Sequence, residues 1–245
     1  MNTTKKNWLV VEGTDFSGKT TLCHGISRIL IQSYDIQNTV FQHPGAFEVG
    51  EQLRNLIKSN GGLDWLTEQL IPIADYTNFA ARLNEIPVQC IISDRISPIT
   101  GPFFAHTKNE NITEIKELFE TVCKLTAKHV ADVDMTLILL DTPPNNIISE
   151  RLLNRDRQSA VDHFDSRVTI RRMYKALFKA MVPYGVMVNI EDTHVCGPDM
   201  CSVSELELID TVVVPYIRKT FKRILLVKQP FEVLRNAKAI IDLMG

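Results

Sequence analysis

The sequence has no long apolar run and no strong excess of charge of either sign. Its longest uninterrupted apolar stretches, such as Leu137–Leu140, reach only four or five residues, whereas a membrane-spanning helix needs about 20. Lys and Arg together number 27 and Asp and Glu 29, for a net charge of −2, and a dedicated nucleic-acid binder would be much more basic. We therefore expect neither a membrane span nor a nucleic-acid partner.

Signals for export and for a disulfide framework are also missing. Met1–Trp8 has neither the apolar core nor the small-residue cleavage site of a secretory signal. The cysteines are odd in number and scattered, which is untypical of a set of disulfides. They are Cys23, Cys90, Cys123, Cys196 and Cys201. The expectation is a cytoplasmic protein in a reducing environment.

Short β-branched runs alternate with longer stretches of helical periodicity. The predicted strands are Trp8–Val11, Asn38–Gln42, Val88–Ser93, Met135–Leu140 and Val186–Ile190. The predicted helices are Lys19–Ser33, Val49–Lys58, Leu66–Glu85, Ile112–Val130, Asn146–Asn154, Ser166–Met181 and Val203–Phe221. Because this alternation requires crossover connections, it predicts an α/β fold of three layers, with a five-stranded parallel sheet and helices on both faces.

The last part of the chain is harder to interpret. We expect one domain over residues 1–222 and a C-terminal extension over 223–245 that packs on the same domain. Within the extension, Ile224–Val227 is consistent with an edge strand and Phe231–Met244 with a closing helix.

The strongest motif fits G-x-x-x-x-G-K-[ST] at every fixed position, follows an apolar strand and opens a helix. It comprises Gly13, Thr14, Asp15, Phe16, Ser17, Gly18, Lys19 and Thr20, followed by Thr21. Glycines let backbone N–H groups curl around phosphate oxygens, and the helix N-terminus adds partial positive charge. Lys19 would neutralise the β- and γ-phosphates of ATP, and the Thr20 hydroxyl would bind Mg²⁺. The motif predicts an ATP site in a P-loop NTPase fold.

A second polar cluster, Asp94 and Arg95, ends the predicted third strand. Parallel α/β sheets bind ligands at this edge, where Arg95 could hold a phosphate through two hydrogen bonds. Asp94 could reach Mg²⁺ directly or through water. A structural ion pair is the alternative, and the complete phosphate loop makes it the weaker one.

From about Trp8 to Ile217 the sequence resembles the thymidylate kinase family, P-loop nucleoside monophosphate kinases that make dTDP from ATP and dTMP. The segments that carry the resemblance are Val10–Asp15, Phe41–Gly45, Gly50–Arg54, Phe79–Arg82, Ile91–Arg95, Leu139–Pro144 and Glu150–Leu152.

The resemblance also implies roles for individual residues. Asp15 would lie near the transferred phosphoryl group and the sugar hydroxyl, and Arg82 and Arg95 would bind the acceptor phosphate. A lid over about residues 151–165 would bring Arg155 and Arg157 across the transferring group. The remaining acceptor contacts would be Pro44, Phe79 and Thr100. The resemblance further implies a homodimer.

Several positions depart from the family pattern. Gln42 and His43 stand where the family usually has Arg and Glu, and Phe16 stands where many members carry an arginine. Asn78 replaces the aromatic residue that usually stacks on the thymine, and His163 replaces a frequent lid arginine. The acceptor pocket is therefore altered: dTMP is favoured, while dUMP, dGMP or a broader range of deoxynucleotides stay open.

Two other functions remain as alternatives. A deoxynucleoside kinase would need a carboxylate base after the second strand, where the chain has none before Glu48. A nucleotide-binding regulatory module without turnover would explain the departures, since binding need not imply catalysis.

A zinc site formed by His194, Cys196 and Cys201 is disfavoured, because the sequence offers no fourth ligand at the usual spacing.

Overall fold

The computed structural model describes residues 5–59, 63–143, 164–188, 201–228 and 233–244. The strands are β1 (Asn7–Glu12), β2 (Asn38–Gln42), β3 (Cys90–Asp94), β4 (Asp134–Leu140), β5 (Val186–Met187) and β6 (Arg223–Val227). The α-helices are α1 (Lys19–Tyr34), α2 (Glu48–Ser59), α3 (Trp65–Arg82), α4 (Ser97–His106), α5 (Ile112–Val130), α6 (Phe164–Met181), α7 (Val203–Leu208), α8 (Val214–Thr220) and α9 (Val233–Asp242). A π-helical turn, Ile209–Val213, joins α7 to α8.

All described strand pairs are parallel, in the order β2-β3-β1-β4-β6-β5. The predicted α/β fold is confirmed, with six strands rather than five. The expected edge strand in the C-terminal segment was wrong, because β6 lies between β4 and β5. Ile224–Val227 is buried throughout, as an apolar strand covered on both faces should be.

The residues after position 222 contact the rest of the fold on two sides. Strand β6 pairs with β4, and the hydroxyl of Tyr34 at the end of α1 donates a 2.6 Å hydrogen bond to Asp242 at the end of α9. The proposed division of the chain at residue 222 stays a prediction.

Strand β1 supplies side chains to both hydrophobic layers. Trp8 and Val10 belong to the layer formed with helices α3 to α6 and α8, while Leu9 and Val11 belong to the layer under α1 and α9. All four side chains are fully buried. A strand buried on both faces needs an unbroken apolar run, and this run places the phosphate loop at the carboxyl edge of a rigid central strand.

Helix α3 begins after an N-cap residue, Asp64. The carboxylate of Asp64 accepts hydrogen bonds from the backbone N–H groups of Leu66 (3.0 Å) and Thr67 (3.1 Å), satisfying donors that the helix itself cannot. The helix ends at Arg82 and a 3₁₀ turn follows over Leu83–Glu85, close to the predicted boundary.

Helix α4 was not predicted from the sequence. Its residues include Pro98, Gly101 and Pro102, which have poor helix propensity. Burial on nearly every side stabilises it, and the Ser97 hydroxyl at its start donates a 2.7 Å hydrogen bond to the carbonyl of Pro72 in α3. Tertiary contacts thus outweigh local preference in this segment.

None of the helices in the described ranges has the length and apolar character needed to cross a membrane. Cys23, Cys90, Cys123 and Cys201 are free thiols. The predicted helix over Asn146–Asn154 lies outside the described residues.

Candidate active site

The phosphate loop joins the end of β1 to the start of α1. Gly18 caps α1 in the left-handed conformation, with φ of 91°, a geometry that glycine adopts without steric cost. Phe16 at the middle of the loop also has a positive φ, of 63°. The loop backbone therefore turns back sharply before the helix, which leaves the first N–H groups of α1 directed at the loop's interior.

Lys19 lies inside this loop. Its side-chain Nζ donates a 2.6 Å hydrogen bond to the carbonyl of Thr14, and its exposed fraction is 7%. Burial, together with the positive charge of Arg95, lowers the pKa of Lys19 to about 8, although the carboxylates of Asp15, Asp94 and Glu12 act in the opposite direction. The ammonium group is thus poorly solvated and favours an additional anionic partner.

Thr20 and Asp94 form a small oxygen-rich site beside the loop. The Thr20 hydroxyl donates a 2.5 Å hydrogen bond to Oδ2 of Asp94, which ends β3 and is buried. A carboxylate and a hydroxyl are hard oxygen ligands, and Mg²⁺ in nucleotide sites uses one or two such groups together with phosphate oxygens and water. The two residues therefore fit a magnesium ion that bridges the protein and a nucleotide.

Arg95 follows β3 and reaches across to the phosphate loop. Its Nη2 donates to Oδ1 of Asp15 (2.6 Å) and to the carbonyl of Gly13 (3.4 Å). Arg95 has a left-handed backbone with φ of 73°. Its Nε is buried and has no hydrogen-bond acceptor among the described residues. A buried donor in this state is costly, so the guanidinium is suited to bind an incoming anion next to the loop.

Sequence reasoning missed Glu12, the last residue of β1. Its buried carboxylate accepts hydrogen bonds from the backbone N–H of Ile96 (2.8 Å) and the hydroxyl of Tyr174 (2.7 Å). Burial raises the pKa of Glu12, against the opposing charge of Arg95. A charged residue closing an apolar strand was the available signal. Glu12 joins β1, α4 and α6 directly behind the phosphate loop.

Thr100, predicted to contact the acceptor, is part of this buried network. Its hydroxyl lies 3.1 Å from Oε2 of Glu12 and 2.9 Å from the hydroxyl of Tyr174. Arg171, three residues before Tyr174, donates a 2.8 Å hydrogen bond from Nη2 to the carbonyl of Pro143. The acceptor role of Thr100 stays a prediction.

The loop after β2 lies against helix α3. Pro44, a predicted acceptor contact, follows a cis peptide bond and is half-buried. The neighbouring His43 contacts Asp75 of α3, with 3.0 Å between Nδ1 and Oδ2. The ring of Phe79 lies 4.6 Å from the His43 ring, centre to centre.

The described contacts of Phe79 and Arg82 are with the core and with the segments next to α3. Phe79 is fully buried, with its ring against Trp8 and Phe41 at 5.3 and 5.0 Å between centres. Arg82 donates a 2.8 Å hydrogen bond to Glu85, and its guanidinium carbon lies 4.3 Å from the centre of the Phe47 ring. Their predicted acceptor contacts stay predictions.

The end of α3 lies near the amino edge of the sheet. Lys6, just before β1, donates to the carbonyl of Leu83. Since β1 spans about 20 Å at roughly 3.3 Å per residue, the backbone at this end of α3 and the phosphate loop lie at opposite ends of β1. Of the two predicted acceptor arginines, Arg95 contacts the phosphate loop directly, at Asp15 and Gly13, and the acceptor role of each stays a prediction.

The predicted lid arginines Arg155 and Arg157 lie outside the described residues, as do His194 and Cys196. Cys201 is described, and its thiol donates to the carbonyl of Arg172. Over the described ranges, no group of three or more His, Cys, Asp or Glu residues could hold a metal ion.

A parallel sheet with a complete phosphate loop after its first strand defines the class of protein as a P-loop nucleotide-binding protein. No family model matches the chain. The thymidylate kinase of Prochlorococcus marinus (strain NATL2A) is 30% identical over 165 residues, which cover 62% of this chain and 74% of that protein. The chain belongs to the thymidylate kinase family.

Other comparisons agree with this assignment. The thymidylate kinase of P. marinus (strain AS9601) is 28% identical over 157 residues, covering 60% of this chain and 72% of the relative. That of Ehrlichia chaffeensis (strain ATCC CRL-10679 / Arkansas) is 40% identical over 68 residues, covering 27% and 34%. A crystal structure of thymidylate kinase from E. chaffeensis has the same fold, with a TM-score of 0.55, 16% identity and 98% coverage of both chains.

Proposed function

We propose that the protein transfers the γ-phosphoryl group of ATP to dTMP, giving dTDP for deoxynucleotide synthesis, with Mg²⁺ as cofactor. The main support is the position of Arg95, whose Nη2 lies 2.6 Å from Asp15 of the phosphate loop. An anion held by Arg95 would lie beside the loop that holds the phosphates of ATP. The choice of dTMP as the acceptor rests on the family.

The chemistry of this transfer requires alignment and charge neutralisation more than proton transfer. The acceptor is already a phosphate anion, so no general base is needed. Lys19 and the loop amides would hold the donor phosphates, and Arg95 would hold the acceptor phosphate. Thr20 and Asp94 would hold Mg²⁺, which when bound neutralises phosphate charge.

Asp15 has a double role in this scheme. Its carboxylate orients the guanidinium of Arg95 and is itself 45% exposed, so it could also accept a hydrogen bond from the acceptor sugar. Arg155 and Arg157 would close over the transferring group, supplying positive charge where Phe16 cannot. Charge placed at the equatorial oxygens stabilises the transition state of phosphoryl transfer.

A coupled assay of ADP release tests the proposal. Each deoxynucleoside and ribonucleoside monophosphate, and thymidine, is supplied with ATP and Mg²⁺, and Lys19→Ala is the inactive control. We expect turnover with dTMP that Lys19→Ala abolishes. Turnover with thymidine but with no monophosphate would contradict the proposal, and so would full activity of Lys19→Ala.

A further inference from the structure

The carboxylate of Asp75 is a buried junction between helix α3 and the loop after β2. Oδ2 lies 3.0 Å from Nδ1 of His43 and accepts a hydrogen bond from the backbone N–H of Gly45 (3.2 Å), and Oδ1 accepts one from the N–H of Ala46 (3.4 Å). An ionised carboxylate can only accept, so Nδ1 is assigned as the donor. The side-chain exposure of Asp75 is 0%. Three donors from one short loop thus converge on one carboxylate, and its burial makes each of them costly to lose.

The imidazole of His43 extends this contact to strand β3. Since Nδ1 donates to a carboxylate, the lone pair of the neutral ring is on Nε2, which lies 3.4 Å from the hydroxyl of Ser93. That hydroxyl accepts a 2.8 Å hydrogen bond from Nε1 of Trp8. Donors and acceptors therefore alternate without conflict from Asp75 through His43 and Ser93 to Trp8.

An Asp–His–Ser sequence also occurs in hydrolases, where the serine is a nucleophile. Ser93 has 0% exposure, and the indole of Trp8 contacts its hydroxyl. A substrate carbonyl could not reach it. The arrangement is suited to a structural role, in which it connects helix α3, the loop after β2 and strand β3.

The hydrogen-bonded chain from Asp75 to Trp8 connects the loop after β2 to the end of β3, and both segments adjoin the proposed site. The backbone N–H of His43 donates a 3.1 Å hydrogen bond to the carbonyl of Asp94, and Ser93 immediately precedes Asp94 and Arg95. Helix α2 is packed so closely that a Cβ at Gly50 would lie 1.9 Å from Oδ1 of Asp75. The junction leaves little room for the loop to shift relative to the end of β3.

We propose that His43 and Asp75 are positioning residues for acceptor binding, because their hydrogen bond holds the loop Pro44–Ala46 in register with Arg95. This inference rests on the proposed function. It predicts that loss of the His43–Asp75 bond weakens acceptor binding and leaves ATP binding almost unchanged, since the hydrogen bonds of the junction described above run between helix α3, the loop after β2 and the end of β3.

Two substitutions of His43 distinguish its hydrogen bond to Asp75 from its other contacts. The side-chain nitrogen of Asn reaches about as far as Nδ1, whereas that of Gln reaches about as far as Nε2. His43→Asn should keep the donor to Asp75, and His43→Gln should lose it, while both remove the ring that contacts Phe79. His106→Gln, a buried histidine at the far end of α4, controls for a general loss of stability.

We expect His43→Gln to raise the acceptor KM at least about tenfold and His43→Asn to raise it by no more than about threefold, as for other supporting hydrogen bonds. The KM for ATP should stay within about twofold in all three variants. Wild-type protein without turnover would overturn the proposed function and this inference with it. Wild-type turnover with equal acceptor KM values for the two His43 variants would overturn this inference alone.

A measurement on the unsubstituted protein keeps the inference testable if the variants do not fold. The ¹⁵N shifts of the His43 ring distinguish the two neutral tautomers. A proton on Nδ1 is expected, because only that tautomer donates to Asp75. A neutral ring with its proton on Nε2 would overturn the inference.

Discussion

ATP binding should weaken as the pH rises above 8, because Lys19 then loses its charge. Burial and the nearby Arg95 lower the pKa of Lys19 from 10.5 to about 8 in the free protein. Bound phosphates would supply the anionic partner that the buried ammonium group lacks and would raise its pKa again. Binding above pH 8 must therefore take up a proton.

The size of the effect follows from that pKa. The change from 10.5 to about 8 corresponds to roughly 3 kcal/mol against the charged form. If binding requires the cation, the ATP dissociation constant is inversely proportional to the fraction of Lys19 that is charged in the free protein. It should rise about tenfold between pH 7 and pH 9, and about 30-fold between pH 7 and pH 9.5.

Isothermal titration calorimetry measures both consequences. The dissociation constant is determined from pH 7 to 9.5, in buffers of different ionisation enthalpy that report the protons taken up. Proton uptake should approach one per ATP at pH 9.5 and be close to zero at pH 7. Circular dichroism at each pH confirms that the fold is intact. A dissociation constant that stays within twofold over this range, with no proton uptake, would refute the reasoning.

Two further predictions concern the acceptor site and the core. Arg95→Gln should raise the acceptor KM by about 30-fold or more, since hydrogen bonds to charged groups contribute about 1.5–3 kcal/mol each. Arg218→Gln is the control. An acceptor KM that is unchanged in Arg95→Gln would show that Arg95 does not bind the acceptor. Gly101→Ala should lower stability by about 1–3 kcal/mol, because its Cβ would lie 2.4 Å from the Phe119 ring. Urea unfolding measures this change, and unaltered stability would show that the ring moves freely.

The phosphate loop could be predicted from the sequence because all of its groups are contiguous. Lys19 and Thr20 follow Gly18 directly, and an apolar strand and a helix on either side are local features as well. The same holds for Asp94 and Arg95, which end a strand that the apolar pattern reveals. Parallel strands bring these two short segments to one edge of the sheet, so their meeting could be inferred before the structure.

Other features depend on contacts between distant parts of the chain. Strand β6 lies between β4 and β5 because it pairs with both. This pairing depends on contacts between distant segments, and no local sequence pattern predicts it. Helix α4 forms against its own propensities because its surroundings bury it. The sequence pattern could not show that Asp75 would meet His43, 32 residues away, or that Tyr174 would meet Glu12, 162 residues away.

The sequence by itself thus determined the nucleotide-binding loop, the strand–helix alternation and the acidic and basic residues at the strand ends, because each depends on neighbouring residues. Only the tertiary structure decided that Arg95 bonds to Asp15 and that the buried carboxylate of Glu12 lies behind the phosphate loop. Hydrogen bonds between groups far apart in the chain form only when packing brings them within about 3 Å, and sequence spacing does not encode that distance.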